Sequence, residues 1–223
     1  IKKSVDQHLN DLNISKEEQS IAFENSQARE RTQVLMDYSN KVNGIVIGTG
    51  DLSEIALGWS TYNGDHMSMY NVNCSLPKTL IRSMTYYLSD VYPEIKEILL
   101  DILDTPISPE LLSPKEGEIA QITEDVIGPY VLHDFFLYHF IYHKQDVKKV
   151  FFMAKETFKE DYDEKTIKKW FAIFIRRFFN NQFKRSCCPD GPKITQVSLS
   201  PRGDFRMPSD ASGNCYLKEL ENL

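Results

Sequence analysis

The turn Gly48-Thr49-Gly50-Asp51 places a hydroxyl, that of Thr49, five residues ahead of the carboxylate of Glu54. A phosphate group escorted by Mg²⁺ needs such a pair: a donor for phosphate oxygen and a hard oxygen ligand for the metal. Lys78 could add a point charge for phosphate. Trp59-Ser60-Thr61-Tyr62 packs two aromatics and two hydroxyls into four residues. Flat aromatic faces stack on heterocyclic rings, and hydroxyls reach riboses. Read singly, each feature also has a plainer explanation: a tight turn, a solvated lysine, a core tryptophan.

Two further clusters carry chemical potential. Arg176, Arg177, Lys184, Arg185, Lys193, Arg202 and Arg206 make the C-terminal third locally basic, interleaved with Phe178, Phe179 and Phe183. In an acidic chain such a cluster points to a bound anion, against the alternative of a solvated charged face. His139 and His143 stand four apart, with His133 and Asp134 nearby. They lack the glutamate of a zinc-protease motif and any cysteine pair, so they read as packing histidines on an aromatic helix. Cys74, Cys187, Cys188 and Cys215 show neither metal-ligand spacing nor disulfide-scaffold density, and read as reduced thiols of a cytoplasmic protein.

The elements that must position these residues follow from the pattern. The chain has 223 residues, of which 41% are hydrophobic and 26% charged, enough for a sizeable core and too apolar for wholesale disorder. Its net charge of -6 weighs against a general nucleic-acid binder. The most apolar run, Phe135 to Tyr142, is shorter than the roughly 20 residues that span a bilayer, so no membrane partner is expected. The first residue is Ile rather than Met, and the chain reads as part of a longer protein.

Residues 1–14 read as a short amphipathic helix with Val5, Leu9 and Leu12 on its apolar face. Ser15 reads as an N-cap ahead of a long charged helix over 21–42, which Asn43-Gly44 ends. Ile45-Val46-Ile47 reads as a buried central strand. Strand, glycine turn and helix together present backbone N–H groups to an anion. Residues 58–76 read as a loop with one possible strand, and helices follow near 78–88, 93–103, 131–143, 146–158 and 164–182. Residues 104–128 carry three prolines and read as an irregular connection, 184–212 as mostly loop, and 215–223 as a closing helix. A lone strand cannot bury its own edges, so its sheet must be completed from elsewhere.

From Gly48 to Glu54 and from Gly58-Trp59-Ser60-Thr61-Tyr62 to Asp65, the chain resembles the synthetase domain of the glutamine-dependent NAD synthetase family. The resemblance includes Glu24-Asn25-Ser26-Gln27-Ala28-Arg29, Tyr70-Asn71-Val72-Asn73, Pro77-Lys78-Thr79-Leu80, the stretch Asp104 to Leu111, Gln182-Phe183-Lys184-Arg185-Ser186, Asp190-Gly191-Pro192-Lys193 and Ser200-Pro201-Arg202-Gly203-Asp204, so it covers nearly the whole chain. It implies an α/β fold: a partial Rossmann-like parallel sheet of the adenine nucleotide alpha hydrolase-like type, with a helix-rich C-terminal half. It divides the chain near residue 92 into a nucleotide-binding α/β part and a helical part with a basic C-terminal loop.

The resemblance implies a ligase. ATP adenylates the nicotinate carboxylate of deamido-NAD, and ammonia released from glutamine by a glutaminase domain then displaces AMP to give NAD. It assigns Thr49 and Lys78 to ATP, and Asn25, Glu54, Trp59, Ser60, Thr61, Tyr62 and Lys184 to deamido-NAD, with Glu54 also at Mg²⁺. It further implies a homo-oligomer, while the cytoplasmic setting rests on the cysteines. Two departures stand out. The family's Ser-Gly-Gly-x-Asp-Ser phosphate loop and its glutaminase domain are absent from this sequence. This stretch alone is therefore expected to lack full activity. The alternatives are a non-catalytic nucleotide-binding module of the same fold, and a helical scaffold whose aromatic segments over 131–182 form an oligomer interface.

Overall fold

Aromatic residues at helical spacing build the centre of the molecule. A computed structural model describes residues 1–15, 20–105 and 123–223. In it helix α9 (Glu164–Asn180) buries Ile167, Phe171, Phe174, Ile175 and Phe178 along one stripe. Asp163 caps its start by accepting from the Thr166 amide. Helices α7 (Tyr130–Phe136) and α8 (Val147–Thr157) pack on it, with the rings of Phe136 and Phe171 stacked 4.4 Å apart. A π-helical stretch, Leu137–Tyr142, continues α7. The closing helix α11 (Asn214–Glu221) covers the far side of α8 and α9, and Leu220 enters the core.

The N-terminal part follows its local signals. Helix α1 (Lys2–Asp11) buries Val5 and Leu9, whereas Leu12 is exposed. Helix α2 (Ile21–Val42) ends where Asn43 turns left-handed at φ 52°. Its cap is Ser20, which accepts from the Phe23 amide, not Ser15. Residues 16–19, between Ser15 and that helix, lie outside the described residues, as does most of the connection expected over 104–128 and the family stretch from Pro106 to Leu111.

Strand β1 (Ile47–Gly48) pairs in parallel with β2 (Tyr70–Asn71), so the loop after Gly58 does return a strand. Among the described residues the strand expected to be buried at the centre of a sheet is instead exposed. Ile45 is 66% exposed and Ile47 47% exposed, because no described strand covers β1's other edge and face. Between the strands runs helix α3 (Leu52–Leu57), whose Leu52, Ala56 and Leu57 are built into the aromatic core of α7 and α9. Helix α4 (Lys78–Val91), a short 3₁₀ turn at Pro93–Ile95 and α5 (Lys96–Asp104) form a helical hairpin against α7. Helix α6 (Thr123–Ile127) leads into α7, and the four-residue helix α10 (Gln182–Arg185) continues α9. No described helix is long and apolar enough to cross a membrane.

The tail folds back on the sheet. Asn71 gives its amide to Asp190 O at 2.7 Å, and Ser75 accepts from the Ile194 amide at the same distance. Gly191 is required there, because a Cβ would overlap Asn71 O.

His133 is buried beside Phe174, with Nε2 donating to Ile127 O at 2.7 Å and Nδ1 left without a partner. That donation fixes the proton on Nε2, and burial outweighs it and pushes the pKa from 6.5 down to about 4, so the ring is neutral at pH 7. Between those pH values the unfolded chain binds a proton that the folded chain refuses, so stability is full above about pH 6.5 and falls as pH drops toward 4. The loss expected is about 3 kcal/mol. Urea unfolding at pH 7 and pH 4.5 checks it: His133→Gln should flatten the difference between the two.

Candidate functional site

All nine residues singled out from the sequence line one open cleft of about 1050 Å³ between α2, the turn after β1, α3 and the α9–α10 corner. The wall begins at the turn. Asp51 caps α3 by accepting from the Glu54 amide at 2.9 Å, and Glu54 Oε2 accepts from the Asp51 amide at 3.1 Å. This capping box uses Asp51 at the cap and Glu54 three residues on. It also narrows the expectation of a backbone anion site. The amides of Asp51 and Glu54 are taken by the box, and that of Leu52 by Leu76 O at 3.0 Å. Two carboxylates sit where an anion would have to approach. Thr49 is exposed on the cleft wall, and its carbonyl is braced by Asn73 at 3.2 Å.

Lys78 does not point at open solvent. Its ammonium lies 2.7 Å from Asp51 Oδ2 and 2.9 Å from Glu54 Oε1, over the Tyr130 ring at 5.0 Å. Burial raises the Asp51 and Glu54 carboxyls. Repulsion from Asp51 raises Glu54 further, while Lys78 opposes both shifts. Burial works against the charge of Lys78, but the two carboxylates outweigh it and raise its pKa overall. One ammonium therefore serves two acidic groups.

Asp134 locks the pieces together. One of its oxygens accepts from the Ser53 hydroxyl, and the other from the Thr79 amide at 3.0 Å and the Thr79 hydroxyl at 2.7 Å. Ser53 in turn accepts from the Lys78 amide at 2.8 Å. The start of α4 is thus capped from α3 and α7, since Pro77 has no side chain able to do it.

The opposite end of α3 is held by cations. Gly58 takes φ +60° and has no room for a Cβ against Asn181. Lys184 donates to Gly58 O at 2.8 Å and Ser60 O at 2.6 Å. Arg177 Nε donates to Leu57 O at 3.1 Å, with its guanidinium over the Trp59 ring at 5.0 Å. Arg185 is fully buried and donates to Ala56 O at 2.9 Å and to Phe178 O. Across the cleft, Thr61 Oγ1 donates to Asn25 on α2 at 2.9 Å, and the Thr61 amide donates to Asp65 at 2.7 Å. Tyr62 packs on Phe183 at 5.3 Å.

The basic cluster read from sequence is not one surface. Lys193 pairs with Asp204 and Arg202 with Asp190, Arg185 is interior, and only Arg177 and Lys184 reach the cleft. The rings of His139 and His143 lie 6.1 Å apart, with His139 against Phe135. Among the described residues no group of three or more His, Cys, Asp or Glu is placed to hold a metal. Sequence reasoning missed Asp51 and Asp134 as site residues. The Asp-x-x-Glu capping pattern could have flagged the first; nothing local flags the second.

Residues 1–187 match the sequence pattern of NAD synthase. The chain belongs to the NAD synthase family. It is 41% identical to the glutamine-dependent NAD(+) synthetase of Mycobacterium leprae over 90% of this chain and 33% of that protein. It is 40% identical to that of Mycobacterium tuberculosis H37Rv over the same shares. The chain therefore spans about a third of the length of these NAD synthetases. A solved glutamine-dependent NAD(+) synthetase from Cytophaga hutchinsonii superposes on 98% of this chain and 34% of its own, with a TM-score of 0.74 at 20% identity. The α/β fold expected from the sequence, with a small parallel sheet and a helix-rich C-terminal half, is the fold of this NAD synthetase.

Asp134→Ala removes the acceptor for three donors on two helices. It should cost about 2–4 kcal/mol of stability in urea unfolding, and Asp134→Asn less, since an amide oxygen still accepts.

Proposed function

We propose that the protein to which this chain belongs amidates deamido-NAD to NAD at the expense of ATP, using ammonia released from glutamine. The observation that carries this reading is that the residues expected from the family, spread over 159 positions from Asn25 to Lys184, all line one cleft. Its size suits a dinucleotide lying beside a second nucleotide. Thr49 and Lys78 would meet ATP; Asn25, Glu54, Trp59, Ser60, Thr61, Tyr62 and Lys184 would meet deamido-NAD. The reading divides the chain near residue 92, with nucleotide contacts weighted to the first part.

The protein's own work in this reaction is positioning. Ammonia is the nucleophile, so no side chain need form a covalent bond to substrate. The aromatic and hydroxyl groups of the 59–62 loop orient the pyridine nucleotide. Arg177 holds the carbonyl of Leu57 and Lys184 those of Gly58 and Ser60, so the backbone leading into this loop is fixed by contacts that do not use its side chains.

Mg²⁺ fits the residues present in one way. Asp51 and Glu54 share a single ammonium and carry surplus negative charge, and Glu54 keeps 27% side-chain exposure to the cleft. Mg²⁺ is commonly held by one or two carboxylates with substrate phosphates completing its shell. Glu54 would hold it here, and the ion would neutralise phosphate charge. Exposed apolar side chains on α4 and α5, among them Tyr87, Ile98 and Ile102, support a homo-oligomer. Four cysteines without a disulfide support a cytoplasmic setting.

The deciding experiment supplies the full-length protein with ATP, Mg²⁺, deamido-NAD and either glutamine or ammonia, and follows NAD. NAD formation with either nitrogen source is expected; a folded protein that makes none refutes the reading. Glu54→Gln should lower kcat at least about tenfold. It should change stability by no more than about 1 kcal/mol, because the lost pair with Lys78 is offset by the lost repulsion from Asp51.

A further inference from the structure

Three cations line the α3 side of the cleft, and they differ in what they have left to offer. The Lys78 ammonium is engaged by two carboxylates, at 2.7 and 2.9 Å. The Lys184 ammonium is engaged by two carbonyls, at 2.8 and 2.6 Å, and has one proton to spare. Arg177 spends only Nε, on Leu57 O. Its two terminal nitrogens bond to nothing among the described residues, and no described carboxylate pairs with it. The guanidinium is half-buried, tied at Nε and placed over the Trp59 ring at 5.0 Å. Its orientation is therefore set before any ligand arrives. A half-buried, unneutralised guanidinium is costly for a folded chain to keep without a partner. The cost is recovered when an anion with two oxygens on one centre meets the free fork, as carboxylates and phosphates do.

We propose that Arg177 is a binding residue for an anionic group of the pyridine dinucleotide, gripping two oxygens of one carboxylate or phosphate at the foot of Trp59. The proposal rests on the reading of this cleft as the deamido-NAD site and adds to it a residue that the sequence placed in the basic cluster but that the family resemblance did not assign to any ligand. Lys184 beside it shapes the loop through carbonyls; Arg177 supplies the directional contact. A lysine at the same place would keep the charge and lose the fork.

Calorimetric titration of the full-length protein with deamido-NAD and with NAD tests this, since the two share the diphosphate and only the first has the carboxylate. Arg177→Gln should weaken deamido-NAD binding about 10- to 100-fold. If the carboxylate is gripped, NAD binding stays at the wild-type level; if the diphosphate is gripped, both fall together. Arg177→Lys, which can still reach Leu57 O, should lose several-fold and stands in should Arg177→Gln fail to fold. Asn181→Ala removes a different donor from the same carbonyl and should leave both affinities unchanged. The proposal is overturned if the Arg177 variants bind both dinucleotides within about twofold of wild type. It is equally overturned if Asn181→Ala weakens binding as much as Arg177→Gln, since the arginine then only props the helix end. A wild-type protein that binds neither dinucleotide refutes instead the site reading beneath it.

Discussion

One buried ammonium between two carboxylates holds this structure in register. Lys78 reaches Asp51 and Glu54 together, and the same three residues carry the start of α4 and the whole first turn of α3. Charges removed from water need partners of opposite sign and full hydrogen bonding, or they destabilise the fold. Here the partners come from two different elements. The charge requirement and the packing of α3 against α4 are therefore one constraint. Asp134 extends it to α7 through Ser53 and Thr79. The turn at 48–51, which the site depends on, is set by contacts that reach into the aromatic core. The same bonds occupy the Asp51, Leu52 and Glu54 amides at the start of α3 and place two carboxylates beside them, so that helix end is less open to an anion than its turn suggests.

The other end of α3 is built on an opposite principle. There the unsatisfied groups are carbonyls, and α9 and α10 supply cations and an amide to them. Arg185 does this from the interior, against the ring of Phe178 at 4.2 Å. Lys184 and Arg177 do it from the cleft wall. The loop bearing Trp59 to Tyr62 is thus fixed through its backbone, and its side chains stay on the cleft. A six-residue helix would be marginal in isolation. Held at both ends by distant residues, it becomes the rigid spacer between the acidic and the basic ends of the site.

Outside the core, the chain leaves apolar faces uncovered: Ile45 and Ile47 beside the two-stranded sheet, and Tyr87, Ile98 and Ile102 on the α4–α5 hairpin. Such faces are unusual on an isolated domain. They belong to a chain a third as long as the NAD synthetases it matches.

Much of this was legible in the residues themselves. The long helix ending at Asn43, the glycine turn into α3 and the aromatic stripe of α9 are local patterns, written at 3.6-residue spacing or in single turn residues, and they form as read. The strand after Gly44 was legible as a strand but not as an exposed one, because burial depends on what lies alongside it. The family motifs named residues that do share one cleft. What spacing cannot convey is where each charge finds its partner. Lys78 is taken up by carboxylates 24 and 27 positions away, Asp134 reaches back 81 positions to Ser53, and the basic cluster divides into interior, surface-paired and cleft-facing members. Those outcomes turn on desolvation and on distances across the fold, and neither exists until the chain has packed.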